Sequence, residues 1–353
     1  MPEEITRVLV VDDSAFMRKV ISDILRADNT IEVVDTAKNG AEALEKVKVL
    51  KPDVVTLDVE MPVMDGLTCL KKLLDTSYTP VIMLSSLTKD GEEATIQALG
   101  YGAVDFITKP TNIFGMSDQA KKRELIEKVK VAKNAAKPKK YVFEKPKIRP
   151  KSQIAKSESL KYIVAIGTST GGPKALQDVI PLIPGDVPAA FLVVQHMPPG
   201  FTKSLGDRLN SLSEVVVKEA EDGENVKPGY VYIAPGNYHL LVERHKGTNL
   251  KLKLNQGPSV GGHRPSVDVM MNSLSDTGLK NIIGVIMTGM GGDGSEGIVK
   301  IKRINNGHII AQDEKSCVVY GMPRAAVQTG VVDAVVPLKE IAGEIMKFMG
   351  VHL

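Results

Sequence analysis

The chain has 353 residues, 43% of them apolar and 25% charged, which suits a water-exposed globular protein of two domains. Glycine (31) and proline (20) are plentiful but follow no period, which excludes a collagen-like or low-complexity chain. The net charge of +3 is concentrated: residues 133–161 carry ten Lys or Arg against two Glu, which leaves the remainder acidic and disfavours a nucleic-acid-binding face. No apolar run approaches the length of about 18 residues that a membrane span needs. The opening MPEEITRVLVVDD is not expected to be a signal peptide. Cys69 and Cys317 lie inside apolar patterns and read as reduced core residues of a cytoplasmic protein without membrane insertion.

The first third alternates short apolar strands with amphipathic helices. Strands are expected at 7–13, 32–37, 52–58, 79–86 and 103–110, and helices at 14–27, 39–49, 66–74, 89–99 and about 117–134. Nearly continuous apolar strands imply a parallel sheet covered on both faces, hence a doubly wound five-stranded α/β domain.

In such a sheet the carboxyl ends of the strands share one ligand-binding edge. Asp12 and Asp13 end the first strand, Asp58 the third, Ser85 the fourth and Lys109 the fifth. Three converging carboxylates repel one another unless a cation joins them, and oxygen donors of this kind suit Mg2+. With metal and lysine neutralising its oxygens, a phosphoryl group could be accepted on Asp58 and sensed by Ser85. The plainer alternative, that Asp12 and Asp13 only cap a helix, leaves the other strand ends unexplained.

Residues 1–125 resemble the receiver domain of two-component response regulators. The resemblance rests on the Asp12-Asp13 pair, Asp58 followed by Met61-Pro62-x-x-Asp65-Gly66, Ser85, and Lys109-Pro110. It implies phosphorylation of Asp58 by a histidine kinase with Mg2+ bound to Asp12, Asp13 and Asp58, and a switch made of Ser85, Phe106 and Lys109.

Residues 126–159 read as a helix end followed by a basic, proline-punctuated linker. From 160 to 350 a second α/β region begins. Its strands are expected near 161–166, 189–195, 214–217, 230–233, 239–243, 250–254, 282–287, 307–311 and 332–335, and its helices after Gly172, Thr202, Pro265, Gly294 and Pro323. The stretch 230–254 looks locally antiparallel, so the second sheet is expected to be largely parallel but mixed.

The segment IVAIGTSTGGPKAL (163–176) runs from strand through a Gly-rich turn into a helix start. That form suits a phosphate cradle or a nucleophilic serine, and GTSTG fits the GxSxG spacing. The spacings of GxGxxG and Walker A loops are absent, and no acid closes the strand at 189–195, which weakens the phosphate reading. A serine needs a base. His196 ends an uncharged strand and enters a Pro-Gly loop, whereas His239 and His263 are loop-flanked alternatives. Asp293 follows the strand of GVIMTGMGGDGSEG and could orient an imidazole, or could only cap a helix.

Residues 160–350 resemble the catalytic domain of chemotaxis methylesterases. The matching pieces are IGTSTGGP (166–173), QHMPPGFT (195–202), YIAPG (232–236), HRPSVD (263–268), TGMGxDG (288–294) and CVVYGMP (317–323). The resemblance implies a triad of Ser169, His196 and Asp293. It also implies glutamyl methyl esters of membrane chemoreceptor clusters as substrate, with deamidation of certain receptor glutamines. Thr170, Met290 and Gly291 are candidates for an oxyanion hole, and ester hydrolysis is expected to need no cofactor. The competing class is a response regulator whose second domain binds a partner without chemistry. A DNA-binding output is disfavoured, because no helix-turn-helix with a basic second helix follows the linker.

Overall fold

The computed structural model describes residues 5–76, 79–109, 119–135, 157, 159–245 and 249–351. The chain divides into two units, Met1–Lys139 and Lys140–Leu353. Most of the expected linker (136–156 and 158) and Pro110 lie outside the described residues. Among those that are described, no helix is long and apolar enough to cross a membrane.

The first unit alternates strand and helix throughout: β1 (Thr6–Val11), α1 (Ala15–Arg26), β2 (Ile31–Ala37), α2 (Gly40–Leu50), β3 (Val54–Asp58), α3 (Gly66–Thr76), β4 (Val81–Ser85), α4 (Lys89–Tyr101), β5 (Asp105–Thr108) and α5 (Gln119–Lys133). The strands form one parallel sheet in the order β2-β1-β3-β4-β5. Every residue of β3 and β4 is buried, as a central strand with helices on both faces requires. Side-chain caps start four of the helices, Asp65 Oδ1 accepting from Thr68 N at 2.7 Å ahead of α3. Ser14 Oγ accepts from Met17 N at 3.3 Å, Asn39 Oδ1 from Glu42 N at 2.9 Å, and Thr88 Oγ1 from Gly91 N at 3.1 Å. Strand order reverses between β1 and β3, so the crevice of this sheet opens beside their carboxyl ends.

The second unit begins with β6 (Tyr162–Thr168), α6 (Gly172–Val179), β7 (Ala189–Gln195), α7 (Phe201–Leu212), β8 (Val216–Glu219) and β9 (Tyr230–Ile233). It continues with β10 (His239–Arg244), β11 (Leu250–Asn255), α8 (Val267–Asp276), β12 (Ile282–Ile286), α9 (Ser295–Asn305), β13 (His308–Gln312), α10 (Met322–Gln328), β14 (Ala334–Val336) and α11 (Ile341–Met349). Seven strands make a parallel sheet in the order β14-β13-β12-β6-β7-β9-β8.

The expected mixed sheet is corrected here. The antiparallel pair exists, but β10 and β11 stand apart as a two-stranded sheet. Burial explains the division. All but the first residue of β9 is buried, as befits a strand between β7 and β8, whereas β10 and β11 each have exposed positions and can cover only one face. Val242 N of β10 donates to Ser273 Oγ of α8 at 3.0 Å, which docks the pair on that helix. Sequence reading also missed α11, although Ile341, Ala342, Ile345, Met346 and Met349 recur on one buried face at helical spacing.

Candidate functional site

Each unit gathers reactive side chains at the carboxyl edge of its sheet. In the first unit Asp12, Asp13 and Asp58 bring one carboxylate oxygen each to within 4.8 Å of one another. Asp12 and Asp58 are buried and Asp13 is exposed. Lys109 Nζ, just past β5, pairs with Asp12 Oδ2 at 2.8 Å and with Asp58 Oδ2 at 2.7 Å. Burial pushes the Asp58 carboxyl up to about 6, and the Asp12 charge adds to that against the pull of Lys109. An all-oxygen set of this charge, with one exposed member, fits a hard divalent cation that keeps part of its water shell.

Ser85 ends β4 next to β3, and its hydroxyl is engaged by the chain that follows it. It lies 3.2 Å from Gly91 O and takes a hydrogen bond from Thr95 Oγ1 at 2.7 Å. Phe106 is buried in the core, where Lys128 Nζ donates to its carbonyl at 2.8 Å and lies 5.4 Å from its ring centre. The structure therefore groups the three aspartates with Lys109, and leaves Ser85 and Phe106 engaged elsewhere.

In the second unit the register of two neighbouring strands does the first part of the work. β6 and β7 are parallel with Thr168 opposite Gln195, so the next residues, Ser169 and His196, leave the sheet side by side. His196 N donates to Thr168 O at 3.2 Å across that step. Ser169 then turns through Gly171, whose φ of +78° is left-handed, into the N-terminus of α6. Gln195 fixes both neighbours, because its Nε2 donates to Ser169 O at 3.0 Å and to His196 O at 3.2 Å.

A methyl group on Gly172 would collide with Gln195 Oε1 and Thr168 Oγ1. Gly172→Ala is accordingly expected to lower stability by about 1–3 kcal/mol, the usual cost of overpacking, read from the midpoint of a urea melt. An unchanged midpoint would mean that the Gln195 tether is soft.

Asp293 arrives from the other side. β12 lies next to β6 rather than β7, and the turn after it crosses β6 to reach His196. Ser169 N donates to Thr288 O at 3.0 Å on the way, and Gly289 packs against Ser169 Cβ. His196 Nε2 meets Asp293 Oδ2 at 2.8 Å, with both side chains 7% exposed. His196 Nδ1 is also buried and has no hydrogen-bond partner among the described residues. The imidazole thus presents its Nε2 to the carboxylate and keeps Nδ1 in reserve.

The helix-cap alternative for Asp293 takes an unexpected form. α9 starts at a Gly294 cap without a side-chain bond. Asp293 instead holds the N-terminus of α8: Oδ1 accepts from Ser266 Oγ at 2.9 Å and Asp268 N at 3.0 Å, and Oδ2 from Val267 N at 2.7 Å. Asp268 Oδ1 returns the favour to α9 by accepting from Gly297 N at 2.7 Å. Burial alone would raise Asp293, but the His196 hydrogen bond and the backbone donors hold it below the ordinary carboxylate range. Asp268, buried beside that charge, is pushed up to about 6.

Of the oxyanion candidates, Thr170 is buried with its carbonyl accepting from Thr288 Oγ1 at 3.0 Å, Met290 is half-buried, and Gly291 is exposed with φ of +76°. His239 is structural, since its Nδ1 accepts from Ser266 N at 3.2 Å and its Nε2 meets Pro258 O at 3.0 Å. Sequence reasoning assigned no role to Gln195, Ser266 or Asp268. Their positions inside QHMPPG and RPSVD were the available signal.

The family profile described as CheB methylesterase matches residues 164–345, and that described as response regulator receiver domain matches residues 8–120. A protein of Syntrophomonas wolfei subsp. wolfei named protein-glutamate methylesterase/protein-glutamine glutaminase 1 is 50% identical over 349 residues, covering 97% of this chain and 99% of its own. A protein-glutamate methylesterase/protein-glutamine glutaminase of Thermotoga maritima is 46% identical over 349 residues, covering 99% of this chain and 100% of its own. The crystal structure of the Thermotoga maritima CheB methylesterase catalytic domain superposes with a TM-score of 0.51 at 46% identity, covering 53% of this chain and 97% of that one.

Proposed function

The chain belongs to the CheB methylesterase family, with a response-regulator receiver ahead of its esterase region, and from that premise we propose that Ser169 removes methyl esters from glutamyl side chains of chemoreceptors under the control of Asp58. Residues 1–125 are read as the receiver, 126–159 as a helix end and linker, and 160–350 as the catalytic domain.

One observation carries the chemistry. A buried imidazole nitrogen without a partner, His196 Nδ1, stands one residue beyond the strand beside that of Ser169. Nδ1 takes the proton as Ser169 Oγ attacks the ester carbonyl, while Asp293 accepts from Nε2–H and stabilises the imidazolium. Collapse of the tetrahedral adduct expels methanol, which leaves with the proton from Nδ1. Water, deprotonated by Nδ1, then hydrolyses the glutamyl-serine ester and restores both groups. In resting hydrolases the nucleophile–base contact is often long and tightens with substrate. The same sequence on a glutamine releases ammonia, in keeping with the glutaminase in the relatives' names. Among the described residues, no backbone carbonyl takes the amides of Met290 and Gly291, which supports these two as donors to an oxyanion, with Thr170 the further candidate beside Ser169.

In the receiver, Asp12, Asp13 and Asp58 would hold Mg2+, which when bound neutralises phosphoryl oxygens during transfer. Lys109, already on Asp58, would stay with the phosphoryl group, and Ser85 and Phe106 would re-pair around the new charge. A chemotaxis histidine kinase is the proposed phosphodonor, and the cytoplasmic face of membrane receptor clusters the proposed place of action.

Methanol release from methyl-labelled receptor membranes tests both halves. The parent chain is expected to release methanol, and a phosphodonor to raise the rate between about 5- and 150-fold. Asp58→Asn should keep the basal rate and lose the stimulation. Binding to membranes without methanol release would sink the esterase reading, and full stimulation of Asp58→Asn would remove Asp58 as acceptor.

A further inference from the structure

His263 stacks face to face on His196, with ring centres 3.8 Å apart and planes 6° from parallel. Resting on the reading of His196 as the base, we infer that His263 is a positioning residue, holding the plane of the base and favouring the imidazolium that forms when Ser169 gives up its proton.

The need for such a contact follows from the bonds of His196. Beyond its covalent attachment at Cγ, the ring is held by one hydrogen bond, Nε2 to Asp293. A ring held so can still twist about its Cβ–Cγ bond, and among the described residues Nδ1 has no hydrogen bond to stop it. A flat surface in van der Waals contact removes that freedom, because tilting drives the edge of one ring into the face of the other. Nδ1 is thereby kept aimed while it waits for the serine proton.

The second effect is electrostatic. An aromatic face attracts a cation, so the stack strengthens when His196 gains its proton. That gain belongs to the transition state and is absent in the ground state, so it accelerates the chemical step rather than tightening substrate binding.

The chain around His263 is built to deliver the ring. Val260 and His263 close a two-residue hairpin, N–H to carbonyl in both directions at 3.0 and 2.9 Å. Its central residues, Gly261 and Gly262, have φ of +57° and +85°, which a hairpin turn of this hand requires. Arg264 anchors the next position. Its guanidinium donates to Asn237 Oδ1 at 3.1 and 2.6 Å and to the carbonyls of Gln256 and Gly257 at 3.1 and 2.9 Å. Two residues on, Ser266, Val267 and Asp268 supply the donors that hold Asp293. One short segment, 263–268, therefore grips the base from two directions: by its face through His263 and by its Nε2 through the caged carboxylate.

The test is steady-state methanol release by the full chain carrying His263→Ala, His263→Phe or His196→Ala, on methyl-labelled receptor membranes. It is joined by NMR of the His196 Nε2–H, which the Asp293 bond should shift far downfield. His263→Ala is expected to lower kcat about tenfold with KM unchanged, the size of one aromatic stack that tightens on protonation. His263→Phe keeps a flat face and should return kcat to within about threefold of the parent. The downfield proton should be sharp in the parent and in His263→Phe, and broadened in His263→Ala. The inference is overturned if His263→Ala keeps kcat within about twofold, if it raises KM alone, or if His263→Phe is as slow as His263→Ala. Inactive His196→Ala beside unimpaired His263→Ala would overturn this inference alone. Active His196→Ala would remove the base itself, and the inference with it.

Discussion

Ser169→Ala is expected to abolish methanol release while the protein melts as the parent does. By the precedent of serine hydrolases the loss should reach about 10^6-fold, leaving only what substrate binding and oxyanion donors supply. The fold should not notice. Ser169 is held by its backbone: N donates to Thr288 O at 3.0 Å, and its carbonyl accepts from Gly172 N at 2.8 Å and Gln195 Nε2 at 3.0 Å. None of these bonds uses the hydroxyl, and alanine keeps the Cβ that packs against Gly289. Methanol release and a urea melt of the same preparation check the two halves together. Activity within about tenfold of the parent would remove Ser169 as nucleophile.

Asp293→Asn is expected to cost about 10^4 in kcat, and unlike the serine change it should also cost stability. The carboxylate accepts four hydrogen bonds, from His196 Nε2, Ser266 Oγ, Val267 N and Asp268 N. An amide offers one oxygen and one donor nitrogen, so whichever way it turns, an N–H of the α8 terminus or of His196 faces another N–H. If the amide oxygen keeps Oδ2's place, the NH2 confronts Asp268 N, and a buried donor is left unsatisfied at a cost of about 1–3 kcal/mol. If the NH2 takes that place, Nε2 must become the acceptor, the proton moves to Nδ1, and the base is lost. The lost charge also removes the favourable pairing with the positive end of the α8 dipole. A kcat assay with a urea melt measures both effects. A slow but fully stable variant would show that the α8 terminus is held by other groups, and a fully active one would take Asp293 out of the triad.

Much of this was legible before any coordinates. The period of the apolar residues placed nearly every strand, because a strand buried on both faces must be apolar along its whole length. The ends of those strands could then be read as one ligand edge, which is where Asp12, Asp58 and Lys109 meet. The serine turn announced itself through glycines that a left-handed residue and a close approach demand. Less was legible where one pattern serves two purposes. The stretch 230–254 alternates as an antiparallel meander would, but alternation does not say which strand joins the main sheet, and β9 joined it while β10 and β11 did not. The histidines show the same limit. His196 follows a strand, His239 begins one and His263 closes a glycine hairpin, and those positions do not say that they are a carboxylate-bound ring, a structural hydrogen-bonder and a stacked face.

The amino-acid sequence by itself determined the two α/β units and the strand ends that carry the carboxylates, and left the serine's partners to a resemblance. These follow from local periodicity and from turn chemistry, which neighbours along the chain decide. Only the tertiary structure decided which nitrogen of His196 faces Asp293, which helix Asp293 holds, and that His263 covers the ring. Those facts depend on the strand order β12-β6-β7, which carries Asp293 across β6 to a histidine 97 residues away. A pairing at that distance leaves no period in the sequence, because nothing between the partners has to repeat. It is set by which surfaces pack, and packing is a property of the whole unit.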